Sequence, residues 1–227
     1  QRIRHGVSDL EFGDDFQFWP SAEETQSAQY LMWFYKREVD RYGVDNVALL
    51  TPFRKKSKTG VYSLNAALHD TINPASPEKD EIETGQRILR VGDKVMQMKN
   101  RDFASNGDIG YICTSKRDSD GILVEVDFGD DRVVAYEDAE SLRQVELAYA
   151  ATIHKSQGSE YDAVLINIQN MHGKMLNRAL IYTAETRAKK QVIIVGDWEA
   201  VVRAIQTADT KRRNTMLAVR INDLTKE

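Results

Sequence analysis

Disulfides are excluded first, because the 227 residues hold a single cysteine, Cys113. That lone thiol points to a reducing, cytoplasmic setting. With only four scattered histidines beside it, no Cys/His cluster has zinc spacing. Four prolines and thirteen glycines are too few for a long disordered linker. Aliphatic runs such as residues 192–195 fall far short of the ~20 residues that cross a membrane, and no signal peptide is visible. The sequence opens on Gln1 rather than Met, as expected of a piece of a longer protein. Strong charge of one sign is also absent. The net charge of −4 argues against a chain-wide nucleic-acid surface and leaves room for a local basic groove. What is present, 41% hydrophobic and 29% charged residues, is the balance of a water-soluble globular chain long enough to bury a core.

No internal repeat is visible. Residues 21–41 read as a helix with Ser21 as N-cap, Glu23 and Glu24 in the first turn, and Tyr30, Leu31, Phe34 and Tyr35 at helical spacing. Residues 44–50 read as a buried parallel strand stopped by Thr51-Pro52. Helical periodicity resumes over 60–72 through Val61, Leu64, Leu68 and Ile72, and Asn73-Pro74 ends it. From about Arg87 the pattern changes to short β-rich segments at 94–98, 109–114, 122–128 and 132–136, with turn signals at 106–108, 118–121 and 129–131. They predict a small antiparallel barrel or meander. Residues 87–143 carry nine basic and twelve acidic side chains, so any nucleic-acid contact there is local, through residues such as Lys99 and Arg101. After Leu147 the α/β pattern returns. Strands are expected at 164–168 and 192–195, a helix over 174–190 with Leu176, Leu180 and Ala184 stacked, and another helix over 198–205. The first twenty residues, with Phe12, Phe16, Phe18 and Trp19, give no firm assignment. The expected fold class is an α/β parallel-sheet domain, residues 1–86 and 147–227, with a small antiparallel β-barrel inserted at 87–146.

Three segments carry chemistry. In residues 151–161 a strand reaches about Thr152 and a polar turn follows. In open parallel sheets, ligands bind outside the carboxyl ends of strands. The turn offers a hydroxyl (Thr152), an imidazole (His154), an ammonium (Lys155), Ser156, Gln157 and a carboxylate (Glu160). Gly158 permits a positive φ or close approach of a ligand. Such a set suits phosphate oxygens on one side and ribose or water on the other. The plainer alternative is a solvated helix cap, with Ser156 capping and Glu160 in the first turn. The second segment ends a helix at Arg187, either as a cation at the negative end of the helix dipole or as a guanidinium presented to a phosphate. The third, residues 51–58, has four basic residues among positions 54–58. It is either a solvated charged loop or an anion site at a strand end.

Taken in order, these segments resemble motifs IV, V and VI of superfamily 1 DNA helicases of the RecD type. The residues are Leu50-Thr-Pro-Phe-Arg54 with Gly60-Val61 and Leu64-Asn65, then Thr152-x-His-Lys-Ser-Gln-Gly-x-Glu160, then Tyr182-Thr-Ala-x-Thr-Arg187 before Ala188-Lys189. The resemblance runs over residues 3–224. It implies the second RecA-like motor domain of a P-loop NTPase-type helicase, with an SH3-like barrel between motifs IV and V. It further implies that Arg187 reaches the γ-phosphate of ATP and that Arg54 lies at the same end of ATP. Gly158 and Glu160 would sit beside the nucleotide. Thr152 and His154 would contact the DNA backbone, supported by Lys155, Ser156 and Gln157. ATP and Mg²⁺ would be held in the complete enzyme, between this domain and an N-terminal RecA-like domain of the same polypeptide. Single-stranded DNA, tracked 5′→3′, would be the substrate, and recombination or repair subunits would be partners. No membrane partner is implied. The family usually carries an apolar residue where Glu185 stands; facing the core, Glu185 would need a partner, and exposed it would be harmless.

No Gly-x-x-x-x-Gly-Lys-[Ser/Thr] string occurs anywhere. The chain alone is therefore expected to bind no ATP or Mg²⁺ and to hydrolyse none. Two other readings are open to the same residues. One is a nucleic-acid-binding module without a motor, in which the barrel binds in a salt-sensitive way. The other is the helicase part of a conjugative relaxase or a phage helicase.

Overall fold

A computed structural model describes residues 2–55, 57–84, 87–118 and 121–208. In chain order, β1 (Phe16–Pro20), α1 (Glu24–Tyr42), β2 (Val47–Thr51) and α2 (Val61–Ile72) come first. The strands β3 (Glu81–Thr84), β4 (Arg87–Arg90), β5 (Lys94–Gln97), β6 (Ile109–Asp118), β7 (Gly121–Asp127) and β8 (Val133–Tyr136) follow. Then come α3 (Ala139–Leu142), β9 (Val145–Leu147), β10 (Ala150–Thr152), β11 (Tyr161–Ile168), α4 (Arg178–Glu185), β12 (Ala188–Gly196) and α5 (Trp198–Gln206).

Five of these strands form one parallel sheet in the order β1-β12-β11-β2-β10. Side chains of a strand alternate between faces, and both faces here are covered. Ala48, Leu50, Val164, Ile166 and Ile194 pack with Leu180, Ile181, Ala184, Val201 and Ile205 of α4 and α5. Val47, Leu49, Leu165, Ile193 and Val195 pack with Leu31, Phe34, Tyr35, Leu64 and Leu68 of α1 and α2. That two-sided burial is why these strands read as unbroken apolar runs rather than alternating ones. Close packing also fixes Gly196, at φ 149°, where a Cβ would stand 1.7 Å from the Ile168 carbonyl oxygen.

The remaining strands form the insert. Its sheet is antiparallel, in the order β8-β7-β6-β5-β9, and β3 and β4 make a separate hairpin. Ile82, Leu89, Val95, Ile112, Val124, Val126, Tyr136 and Leu142 share one core. All four β segments expected here form strands, and the antiparallel pairing begins earlier, at Glu81, with the unexpected hairpin. The chain is thus an α/β parallel-sheet domain interrupted by a small antiparallel β domain.

Polar contacts fasten the insert to the parallel sheet. The Asp93 carboxylate, fully buried, accepts from His69 Nε2 (2.8 Å), Asn73 Nδ2 (2.7 Å), the Arg90 N–H (2.7 Å) and the Tyr149 hydroxyl (3.0 Å). Lys94 Nζ donates to the Val44 carbonyl at 2.7 Å, and burial pushes its pKa down. Asn65 donates to the carbonyls of Leu147 (2.7 Å) and Ala150 (3.0 Å) and accepts from the Ala150 N–H (2.7 Å).

Two local expectations need correction. Ser21 is not the N-cap of α1, because its N–H donates to the Gly196 carbonyl at 2.8 Å, carrying strand pairing past Pro20. The helix starts only at Glu24, and the Ser21 hydroxyl bonds Gln26 and Ser27 instead. The helix expected over 174–190 is confined to Arg178–Glu185. Asn177 caps it by accepting the Leu180 N–H at 2.8 Å, Lys174 and Met175 lie in a separate 3₁₀ segment, and Ala188 onward is strand β12. The unassigned aromatic N-terminal stretch contributes an edge strand, β1, whose Phe18 stacks edge-on against Trp198 at 5.0 Å. Lys56 of the basic run, residues 119–120 of one turn and 209–224 of the family resemblance lie outside the described residues. Among the described residues no helix is long and apolar enough to cross a membrane.

Candidate nucleotide and nucleic-acid interface

Parallel pairing gives the sheet two distinct edges, one at the carboxyl ends of the strands and one at their amino ends. Register places Thr51 of β2 beside Thr152 of β10 at the carboxyl edge. At the amino edge, Ala188 of β12 lies beside Tyr161 of β11. Residues 153–160 must therefore travel from one edge to the other in eight residues. They do so with one 3₁₀ turn, Ile153–Ser156, whose Ile153 is buried in the core shared with α4.

No helix follows that turn, so the solvated-cap alternative for Ser156 and Glu160 does not hold. Ser156 is buried and its hydroxyl donates to the Ile153 carbonyl at 2.8 Å, which locks the turn rather than presenting the side chain outward. His154 and Gln157 are exposed, and Thr152 is partly so. Lys155 Nζ bonds Asn106 Oδ1 of the insert. Gly158 takes φ 89°, a left-handed value that only glycine adopts without strain. Glu160, largely exposed, pairs with Lys189 at 3.3 Å.

Arg187 stands at the amino edge, just after α4. Its Nε donates to the Thr183 carbonyl (3.2 Å), Nη1 to the Ser159 carbonyl (3.0 Å) and Nη2 to the Thr186 hydroxyl (3.3 Å). The helix-dipole account is thus realised, because the guanidinium satisfies a carbonyl of the last turn. The bond to Ser159 adds something else. It ties the end of α4 to the crossing loop, next to Gly158 and Glu160. The Tyr161 N–H donates back to the Arg187 carbonyl at 2.8 Å, closing the connection.

Arg54 is elsewhere. Its Nη2 donates to both oxygens of Glu146 at 2.8 Å, and its guanidinium lies 5.5 Å from the Tyr62 ring centre. Tyr62 donates its hydroxyl to Glu146 at 2.9 Å. Glu146 raises the pKa of Arg54 above its ordinary value. A cleft brings Arg54 together with Met96, Met98, Glu146, Thr152 and Lys155. Arg54 therefore belongs to the carboxyl edge and Arg187 to the amino edge. Between those levels β11 rises about 20 Å at ~3.3 Å per residue. The resemblance implied one end of ATP for both arginines, whereas this register sets Arg54 and Arg187 at opposite edges of the sheet. The basic run also disperses. Lys58 is engaged by α1, through its N–H to Glu24 (2.9 Å) and its Nζ to Thr25 (2.8 Å), while Lys55 lies 5.2 Å from the Tyr62 ring centre.

Several residues of the site were not singled out from sequence. Glu146, Tyr62 and Asn106 hold the cations, and a lone acid in a short strand gives no signal of that role. At the carboxyl ends of β2 and β11 a buried polar chain runs from Thr51 through Asn167 (3.2 Å) and Gln169 (3.4 Å) to Ser27 (2.6 Å). His172 adjoins it. Its Nδ1 accepts the Gln169 N–H at 3.0 Å, and burial pushes its pKa down to about 4, so it is neutral at pH 7. Polar residues inside an apolar strand are the one hint the sequence offers of this chain. Among the described residues no group of three or more His, Cys, Asp or Glu side chains is placed to hold a metal ion.

Comparison with known proteins gives two family matches. Residues 64–128 match the SH3 domain of ATP-dependent RecD-like DNA helicases, and residues 147–195 match the UvrD-like helicase C-terminal domain. The ATP-dependent RecD2 DNA helicase of Deinococcus radiodurans is 36% identical over 189 residues, which are 79% of this chain and 24% of that protein. The RecBCD enzyme subunit RecD of Mycobacterium tuberculosis is 51% identical over 63 residues, 28% of this chain and 11% of that protein. The chain thus spans a quarter or less of the length of these relatives. A solved structure of Pif1 helicases on forked double-stranded DNA overlays 92% of this chain and 52% of its own, with 17% identity and a TM-score of 0.47.

Proposed function

This chain belongs to the RecD-like DNA helicases, and from that premise we propose that it is the second motor domain of an ATP-dependent helicase moving 5′→3′ on single-stranded DNA. Residues 1–86 and 147–227 form the motor part and 87–146 its SH3-like insert. ATP binds between the amino edge of the sheet and an N-terminal RecA-like domain of the same polypeptide. Arg187 serves the γ-phosphate there, with Gly158 and Glu160 beside the nucleotide. Thr152, His154, Lys155 and Gln157 serve the DNA backbone at the carboxyl edge, and Ser156 sets the turn that displays them. Mg²⁺ comes with the nucleotide and is held by the other domain. Recombination or repair subunits in a cytoplasmic setting complete the expected partners.

The observation that carries this reading is the Arg187 Nη1 bond to the Ser159 carbonyl at 3.0 Å. One guanidinium there touches the loop that also carries Thr152 and His154. Phosphoryl transfer needs a cation at the developing charge of the γ-phosphate, and an arginine finger supplies about 10³–10⁵ in rate. When Arg187 turns from Ser159 towards phosphate, the crossing loop loses a tether at its amino end. The loop's other end lies at the DNA side, so hydrolysis and DNA grip are coupled through eight residues of backbone. In the complete helicase, Arg187→Ala should lower DNA-stimulated ATP turnover by about 10³-fold or more while the Kd for single-stranded DNA changes less than threefold. Equal loss of both activities, or loss of neither, would overturn the assignment.

A further inference from the structure

The cleft at the carboxyl edge holds two cations, Arg54 and Lys155, and the Thr152 hydroxyl. Each cation is held by a residue from the insert side of the cleft, Arg54 by Glu146 of β9 and Lys155 by Asn106. The Thr152 hydroxyl has no hydrogen-bond partner among the described residues. Glu146 cannot follow Arg54 if it moves. Its backbone is paired with Met96 of β5, and its carboxylate is fixed by the Tyr62 hydroxyl at 2.9 Å. Arg54 is the movable partner, with 46% of its side chain exposed against 17% for Glu146.

We propose that Arg54 is a DNA-backbone contact acting with Lys155 and Thr152, and that Glu146 occupies its guanidinium until a DNA phosphate displaces it. The proposal rests on the reading of residues 152–157 as the DNA side of the domain. Its ligand is a phosphodiester of single-stranded DNA. The guanidinium fork matches phosphate oxygens as well as it matches a carboxylate, and the site lies outside the carboxyl ends of parallel strands, where ligands of such sheets bind. Glu146 left behind keeps its bond to Tyr62, so the exchange strands no carboxylate without a partner. The carboxylate lowers the affinity of the cleft for anions and thereby guards it against free inorganic phosphate.

The test uses the complete helicase and an oligo-dT strand, with binding followed by fluorescence anisotropy over a range of salt. Arg54→Ala should weaken binding about fivefold to tenfold and reduce the slope of log K against log salt by about 0.7, the contribution of one phosphate on a single strand. The KM for ATP at saturating DNA should stay within twofold. Glu146→Gln, which keeps the bond to Tyr62 and removes the charge, should tighten DNA binding about twofold to fivefold, the range for a half-exposed ion pair. That gain should vanish in the Arg54→Ala/Glu146→Gln double variant. A raised KM for ATP with unchanged DNA affinity in Arg54→Ala would overturn the proposal, as would a gain from Glu146→Gln that persists without Arg54. Lys155→Ala separates this failure from that of the underlying reading. If Lys155→Ala weakens DNA binding and Arg54→Ala does not, only the role of Arg54 falls. If neither does, residues 152–157 are not the DNA side. Thermal melts of each variant, and rescue of DNA affinity by Arg54→Lys, exclude misfolding as the cause.

Discussion

Replacing Glu185 with leucine should stabilise the domain, and the gain should appear only as pH rises. Glu185 ends α4, immediately after the buried Ala184. It lines a cleft with Arg2, Ile3, Leu10, Glu11 and Phe16. The charged neighbours in that cleft are Arg2 and Glu11, and they pair with each other. Glu185 itself has no hydrogen bond or ion pair among the described residues. Desolvation by the surrounding apolar side chains pushes its pKa up from 4.5 to about 7. A carboxyl raised in the folded state binds a proton that the unfolded chain has already released. Stability is therefore unaffected below pH 4.5, falls as pH rises from 4.5 towards 7, and stays lowered above 7. At 1.36 kcal/mol per pH unit the ceiling is about 3 kcal/mol, and partial exposure of the side chain discounts this to about 1–2 kcal/mol. Urea denaturation of the purified chain at pH 8 should show Glu185→Leu more stable by that amount, with Tm higher by about 3–6 °C. At pH 4.5 the two proteins should differ by less than about 0.5 kcal/mol. Glu185→Gln should recover most of the gain, since it removes the charge alone. An equal gain at both pH values would show that packing rather than ionisation decides the position. No gain at pH 8 would refute the argument outright.

Two further substitutions test the fold that positions the site. Asp93→Ala leaves His69, Asn73, Tyr149 and the Arg90 N–H without their shared acceptor. It should cost at least about 3 kcal/mol, read as a lowered urea midpoint or loss of a cooperative transition, and a midpoint within error of wild type would show that the hub is dispensable. Gly196→Ala drives a methyl group into the Ile168 carbonyl, and a loss of at least about 2 kcal/mol in equilibrium unfolding is expected. A neutral result there would mean that β11 and β12 separate more easily than their register implies.

Much of this architecture was legible because two-sided burial leaves an unmistakable trace. The apolar runs at residues 44–50, 164–168 and 192–195 are too short for helices, and each holds a strand of the parallel sheet, the first beginning only at Val47 after a 3₁₀ turn over Val44–Asn46. The insert was equally readable from its alternating segments and turns. Boundaries set by tertiary contacts were not. Nothing local says that Ser21 donates to Gly196, or that Ala188 pairs with Tyr161, yet those contacts decide where α1 begins and where the helix after Asn177 ends. Which of the site residues lie near one another in sequence was legible, and which edge of the sheet each reaches was not. Thr152, Gly158, Glu160 and Arg187 lie along one loop and its neighbouring helix end, and the order of motifs captured that. Order along the chain says nothing about which edge of a sheet a residue reaches. Arg54 follows a strand and Arg187 precedes one, and in a parallel sheet that difference alone sends them to opposite edges.

The same sheet order has a consequence for biosynthesis. β1, at residues 16–20, finds its partner only in β12, at residues 188–196. β2 waits likewise for β10 and β11. The insert, by contrast, pairs entirely within residues 81–147. Loop-closure entropy penalises the long-range pairings. A chain emerging from the ribosome can therefore complete the insert first, and it must hold the apolar strands β1 and β2 unpaired until β11 and β12 follow. Those two early strands are the segments that a nascent chain most needs shielded from its neighbours.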